Sequence, residues 1–458
     1  MAGSVPGWRV GARRVTSGSR LTSVRHATAR FVPAFVVSLL ALVVAALVSA
    51  PGASAGPKQA RKAQSETEEQ GACQARQLPP PPIDTSEEPP PGSPSPEPLP
   101  IPDDPVGGPR MGDCGIVKPD DAPAPPGGIN AATWVVSDLD SGEVLAAKDP
   151  HARERPASLI KNLLAIVVIR ELSPDKVVRG TQEDANQEGT KVGIGPGGEY
   201  TVDQLLHALV MESGNDAAWA LARALGGVDV ALDKMNALAK EIGALDTRAA
   251  TPSGLDGPGM TTSAYDQSLI FRAAMRYEEF ADAAARDSME FPGHDGSGTF
   301  QIYNDNGLLE DYEGFLGGKT GFTDDSRHTY VGAAEQDDRR LSVVLLRGER
   351  NPDPLSEQGR KLLDYGFELA ADDYRPVGQL VDKAPEAQPK QDAGDVEGVR
   401  KPVDEASSST AQADTERSAF GNVGLPLVAL AAVAVLVTVG MWLRRRRARI
   451  ARANRTSA

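Results

Sequence analysis

The chain has 458 residues, 40% of them hydrophobic, 36 prolines and a formal net charge of −15. The length admits two or three domains, but that many prolines are too many for one compact unit. The acidic balance argues against a nucleic-acid partner, which calls for a basic face.

Residues 1–30 carry Arg9, Arg13, Arg14, Arg20, Arg25 and Arg30 and no acidic residue. The apolar run FVPAFVVSLLALVVAALVSA follows, and then Ala53-Ser54-Ala55. Basic, apolar, then small-x-small is the order of a secretory signal, so residues 1–55 are expected to be a signal peptide cleaved after Ala55, or else an uncleaved anchor. Residues 56–127 are rich in Pro, Ser, Glu and Gln and are expected to form a disordered spacer. The only two cysteines, Cys73 and Cys114, flank the proline-rich stretch. Outside the cytoplasm they are expected to pair, closing a loop worth roughly 3–4 kcal/mol in the chain-entropy model.

A globular domain is expected over residues 128–370. Two valine-rich runs flank Asp140-Ser141-Gly142, which is a hairpin signal. ERPASLIKNLLAI (154–166) reads as the start of a buried helix interrupted by Lys161. Helices are expected over 201–213, with Thr201 or Asp203 as its cap, over 215–225, over VALDKMNALAKEIGAL, and over TTSAYDQSLIFRAAMRYEEF as one unbroken element. A second hairpin turns at Gln336–Arg339, and LSEQGRKLLDYGFELA closes the domain. Strands at both ends with helices between imply an α/β (α+β) fold: a mixed sheet covered by helices and an inserted helical subdomain.

Residues 371–422 read as a stalk, 423–443 as a transmembrane helix and 444–458 as a basic cytoplasmic tail. The apolar run Leu425–Leu443 would span roughly 28 Å, enough for a bilayer core. The arginines that follow mark the cytoplasmic side. The expected location is the cell membrane, held by a single C-terminal span, with the globular domain outside the cytoplasm.

Ser158 and Lys161 share one helical face, and a serine becomes a nucleophile when a base takes its proton. A lysine can be that base if burial or a neighbouring positive charge keeps it neutral. Taken alone, S-x-x-K is common. Here Ser213 and Asn215 follow at a junction between helices, and Lys319, Thr320 and Gly321 come where an edge strand should begin. S-x-x-K, S-x-N and K-T-G, in that order, are the signature of serine beta-lactamases and penicillin-binding proteins.

Over residues 128–370 the sequence resembles the low-molecular-mass penicillin-binding proteins, serine-type D-alanyl-D-alanine carboxypeptidases, in their actinobacterial form. PASLIKNLL, SGNDAAWALA, GLDGPGMTTSAYD and NDNGLLEDYEGFLGGKTGFTDDSRHTYVGAA carry the likeness. The resemblance implies a beta-lactamase/transpeptidase-like fold, an antiparallel sheet flanked by helices with an inserted all-helical subdomain. It implies Ser158 as the acylated nucleophile, Lys161 as general base, Ser213 as proton relay and Asn215 as partner of Lys161 or the substrate amide. Lys319 would supply positive potential and Thr320 would bond the substrate carboxylate. The N–H groups of Ser158 and Phe322 would receive the oxyanion, and Gly321 would let a peptide lie beside the strand. The family often carries an arginine after the last strand that reads the terminal carboxylate. Arg347 and Arg350 stand there at a different spacing from the closing helix, and Arg350 is the candidate.

The implied activity removes the terminal D-alanine from peptidoglycan stem pentapeptides, with beta-lactam antibiotics as covalent inhibitors. No cofactor is implied. The alternatives are a D,D-endopeptidase on cross-links, a beta-lactamase-like hydrolase and a non-catalytic wall-binding protein. The third predicts decayed motif residues, and none is decayed. No Glu-x-x-x-Asn stands between the second and third motifs to activate deacylating water, so slow deacylation is expected. His26, His151, His207, His294 and His328 show no H-E-x-x-H or other ligand spacing, which argues against a metal peptidase.

Overall fold

The computed structural model describes residues 76–385, apart from 295 and 297. The basic N-terminus and its apolar run, Cys73, the chain beyond 385 and the apolar run at 425–443 with its arginine tail lie outside the described residues. Among the described residues no helix is long and apolar enough to cross a membrane. Cys114 is disulfide-bonded.

Strands β2 (Thr133–Asp138) and β3 (Glu143–Lys148) form the first expected hairpin. The Asp138 carboxylate accepts from the N–H groups of Asp140 (2.9 Å) and Ser141 (2.8 Å) and so tightens the turn. β8 (Phe315–Thr323), β9 (Arg327–Gln336) and β10 (Arg339–Gly348) come from the far end of the domain. The strand order is β1-β3-β2-β10-β9-β8, with β1 at Ile116–Val117 and β11 (Gly378–Gln379) also paired to β3. The sheet is not mixed: among the described residues its strand pairs are all antiparallel. Tight hairpins join β2 to β3 and β9 to β10, and the long helical excursion returns β10 antiparallel to β2.

Both faces of the sheet are covered, as its alternation requires. Val135, Val344 and Leu346 point into one apolar cluster, whereas Trp134, Val136, Val343 and Leu345 point into the other. The closing helix α9 (Leu355–Ala371) fills the second face through Leu362, Leu363 and Leu369. The first face receives the helical layer: α1 (Lys161–Glu171), the single turn α2 (Gln182–Ala185), α3 (Val202–Met211), α4 (Asn215–Ala224), α5 (Val228–Ile242) and α6 (Ala264–Ala274). Residues 161–168 of α1 are all buried, because neighbouring helices surround it. Thr201 caps α3 in a reciprocal box with Gln204.

Two short ribbons flank this layer: β4 (Val177–Arg179) with β5 (Glu199–Thr201), and β6 (Ser288–Pro292) with β7 (Thr299–Tyr303). The helix expected over 261–280 is broken. It ends at Ala274, and α7 (Glu278–Ala285) starts afresh, so Phe280 packs edge-on against Phe271 at 6.1 Å. A one-turn helix, α8 (Leu308–Asp311), precedes β8.

The proline-rich stretch departs most from expectation. Its described part, residues 76–127, is not a free spacer but lies against the domain. Prolines leave backbone carbonyls free to accept, and three buried residues just before Ser158 use them. Arg153 donates to the carbonyls of Gln77 (2.9 Å), Leu99 (2.7 Å) and Pro100 (3.1 Å). Arg155 donates to the Pro80 carbonyl (2.8 Å) and grips the Glu87 carboxylate with two nitrogens. The His151 ring bonds the Val106 carbonyl (2.9 Å). At the other end the domain also runs past 370. β11 sits on β3, and Asp382 accepts from Arg272 (2.8 Å).

Glu87→Ala leaves a buried guanidinium without its carboxylate. The unfolding free energy is expected to fall by about 3 kcal/mol, read as a lower urea midpoint. The double variant Glu87→Ala/Arg155→Met, which removes both charges of the pair, is expected to lose less than Glu87→Ala alone.

Candidate active site

Pro156 ends the approach segment, and Ala157 follows at φ +46°. Ala157–Ile160 then forms a 3-10 turn that passes directly into α1. In a 3-10 turn, residues three apart eclipse, which stacks Lys161 on Ser158 more closely than an α-helix would. Lys161 Nζ lies 2.8 Å from Ser158 Oγ. The turn's first bond runs from the Leu159 N–H to the Pro156 carbonyl. The Ser158 N–H therefore belongs to the first turn, whose donors have no intrahelical acceptor.

Lys161 is 0% exposed. Besides Ser158 it reaches the Asn215 side-chain oxygen at 2.8 Å and the Ser253 carbonyl at 2.5 Å. Burial holds its pKa well below the usual lysine value, and the Lys319 ammonium adds to this, while Asp305 and Asp216 oppose it. A neutral amine has two N–H bonds and one lone pair. The Asn215 and Ser253 oxygens can only accept, so they take both N–H bonds. The lone pair is left for the Ser158 hydroxyl, which then donates.

Gly254 makes the Ser253 contact possible. Its φ is +87°, and a Cβ there would lie 1.9 Å from the Ala157 oxygen. Asn215, at the head of α4, donates from its side chain to the Glu188 carbonyl (2.6 Å) and from its backbone to Thr190 (2.8 Å). The next residue, Asp216, accepts from the N–H groups of Val192 (3.1 Å), Gly193 (2.9 Å) and Ile194 (2.9 Å). Together they lash the 188–194 loop onto the wall of the cleft.

Ser213 adopts φ +63° between α3 and α4. Its hydroxyl is buried and has no hydrogen-bond partner among the described residues. It does not cap α4, whose cap is Gly214.

Edge strand β8 forms the opposite wall. Lys319 is 0% exposed, unlike an ordinary edge lysine. Its pKa is lowered by burial, against the pull of Asp305 at 3.7 Å. The Thr320 hydroxyl donates to Asp305 at 2.6 Å. Gly321 passes beside Ser158; a Cβ there would meet Thr329 Oγ1 at 2.4 Å and the Ser158 nitrogen at 2.9 Å. The Phe322 ring is half-exposed and packs on His328 at 4.6 Å.

The cleft between these walls holds about 440 Å³ and is lined by Ser158, Ser213, Asn215, Thr320 and Arg350, among others. Arg350 thus faces the site. Arg347, the alternative, is turned away and donates to buried Glu154 at 2.9 Å. Residues from all three motifs and Arg350 therefore converge. Sequence reading missed the Ser253 carbonyl, Asp216 and Asp305. A backbone acceptor has no residue signature, but Asp216 and Asp305 sit inside stretches that carry the family likeness. Among the described residues two clusters offer metal-ligand atoms, His151–Asp246–Asp266 and Glu87–Asp256–Asp325. Each already engages an arginine, Arg153 and Arg155 respectively.

A sheet with a helical layer, and a serine and two lysines meeting between them, defines a serine D,D-peptidase type of site. The model of the D-alanyl-D-alanine carboxypeptidase family matches residues 120–349. DacB2, a D-alanyl-D-alanine carboxypeptidase of Mycobacterium tuberculosis, is 46% identical over 244 residues, 52% of this chain and 83% of that protein. DacA of Escherichia coli is 32% identical over 254 residues, 52% of this chain and 61% of that protein. Among solved structures, a D-alanyl-D-alanine carboxypeptidase of Mycobacterium tuberculosis is 44% identical with a TM-score of 0.55, covering 58% of this chain and 100% of that one. A Streptomyces DD-transpeptidase is 25% identical with a TM-score of 0.51, covering 54% of this chain and 100% of that one. The chain belongs to the D-alanyl-D-alanine carboxypeptidase family.

Gly254→Ala is expected to lower the unfolding free energy by more than about 2 kcal/mol, because both the backbone angle and the Ala157 oxygen forbid a Cβ. Gly127→Ala, whose Cβ would meet nothing within 4 Å, is the near-neutral control in the same denaturation series.

Proposed function

We propose that this serine D-alanyl-D-alanine carboxypeptidase acts through Ser158 as nucleophile and Lys161 as base, on peptidoglycan stem pentapeptides outside the cytoplasm. The observation that carries the reading is the buried Lys161 nitrogen 2.8 Å from Ser158 Oγ, with its other two partners both acceptors.

Neutral Lys161 takes the Ser158 proton as Oγ attacks the carbonyl carbon of the penultimate D-alanine. The N–H groups of Ser158 and Phe322 receive the oxyanion, at the positive end of α1. Collapse of the tetrahedral adduct breaks the C–N bond. The departing D-alanine amine takes a proton through Ser213, whose partnerless hydroxyl faces the cleft. Lys319, Thr320 and Arg350 hold the substrate's terminal carboxylate, and Gly321 lets the peptide approach β8. Lys161 then activates the water that releases the shortened peptide. Penicillins acylate the same serine, and with no Glu-x-x-x-Asn between the second and third motifs to supply a dedicated water-activating carboxylate, their ester is expected to be released slowly. The signal segment and the apolar run at 425–443 would export the domain and tether it to the membrane.

A fluorescent penicillin is expected to label the wild type covalently and to leave Ser158→Ala unlabelled; an unlabelled wild type would contradict the reading. Because Lys161 must be neutral to act, the acylation rate should rise with pH through its depressed pKa. Lys319→Ala removes a positive neighbour, raises that pKa and should move the rising limb to higher pH. Stopped-flow acylation across pH checks this, and an unmoved limb would count against the electrostatic role of Lys319.

A further inference from the structure

Asp305 places a carboxylate where the substrate's own carboxylate is to bind. Its Oδ2 accepts from Thr320 Oγ1 at 2.6 Å and stands 3.7 Å from Lys319 Nζ. The backbone that carries it is pinned. The Asp305 N–H donates to the Met211 carbonyl (3.1 Å), and the Asn304 side chain spans the carbonyls of Ala284 and Arg286 (3.2 and 3.1 Å). The side chain is 37% exposed, and Asp305 lines the cleft. It is therefore a fixed feature of the pocket rather than a loop residue that happens to lean in.

We propose that Asp305 is a specificity-determining residue that narrows the enzyme's preference between peptides ending in a carboxylate and peptides ending in a neutral carboxamide. The proposal rests on the reading that Lys319 and Thr320 hold the substrate's terminal group. A terminal carboxylate offers acceptors alone. To dock, it must win the Thr320 hydroxyl from Asp305 and share the single Lys319 charge with it, setting two anions side by side. Like charges so placed are repelled. A carboxamide offers both kinds of group. Its oxygen accepts from Lys319 or Thr320, and its NH₂ donates to Asp305, which needs a donor once Thr320 has turned away. Arg350, across the same cleft, keeps the carboxylate form bound. The result is a subsite for either end group, suited to peptides whose terminal carboxyl is masked as an amide.

The test uses the purified full-length chain and two synthetic substrates, diacetyl-L-lysyl-D-alanyl-D-alanine and its C-terminal carboxamide. Release of D-alanine or D-alaninamide is measured. The wild type is expected to favour the acid by less than about threefold in kcat/KM. Asp305→Asn is expected to widen that preference to about tenfold or more, chiefly by lowering KM for the acid. A wild-type preference of tenfold or more, or equal effects of Asp305→Asn on both substrates, overturns the proposal. The wild-type ratio needs no variant to fold, and Asp305→Ala serves as a second one. If Thr320→Val leaves KM for the acid unchanged, the reading of this subsite as the end-group anchor falls, and the proposal falls with it. If Thr320→Val weakens the acid but Asp305→Asn alters both substrates alike, the proposal alone fails.

Discussion

The site depends on one buried nitrogen. Lys161 is surrounded by the Ser158 hydroxyl, the Asn215 amide oxygen and the Ser253 carbonyl, each on a different segment. Water cannot solvate an ammonium there, and burial alone lowers the pKa of a lysine. Lys319 adds a second buried cation and strengthens the effect. Neither group is favoured by burial, so the surrounding core must offset their desolvation. The all-buried face of α1, from Leu163 to Val168, provides the packing that fixes the lysine's position. The chemistry is therefore set by where the core ends as much as by which residues line the cleft.

Much of this was legible in the sequence because the informative features are local. The Asp140-Ser141-Gly142 turn, the Thr201 cap and the motif spacing all depend on neighbouring residues. The resemblance then implied the antiparallel sheet that element order alone had read as mixed. What escaped was non-local. The break at residues 275–277 lies in a stretch of good helix formers; it accompanies the edge-on packing of Phe280 on Phe271, a tertiary contact that no propensity records. The Ser253 carbonyl carries no residue-type signal. Asp305 reads as one more loop acid until β8 brings Lys319 and Thr320 beside it.

The proline-rich segment teaches the same lesson about composition. Few apolar residues and many prolines argue that a segment builds no core of its own, and residues 76–105 build none. A segment without a core can still be a good ligand for one. Its rigid backbone loses little entropy on docking, and its carbonyls satisfy the buried arginines at 153 and 155. Those arginines stand five and three residues before Ser158, so the segment braces the stretch of chain that leads into the Ser158 turn. A domain boundary drawn by composition cuts through this arrangement.

The left-handed backbone of Ser213 has a further consequence. A φ of +63° suits glycine or asparagine better than serine, and its hydroxyl receives no hydrogen bond in return. Any redesign guided by thermostability would therefore nominate this position early. Serine stands there at a standing energetic disadvantage, and improving the fold at this position would remove a hydroxyl from the wall of the cleft.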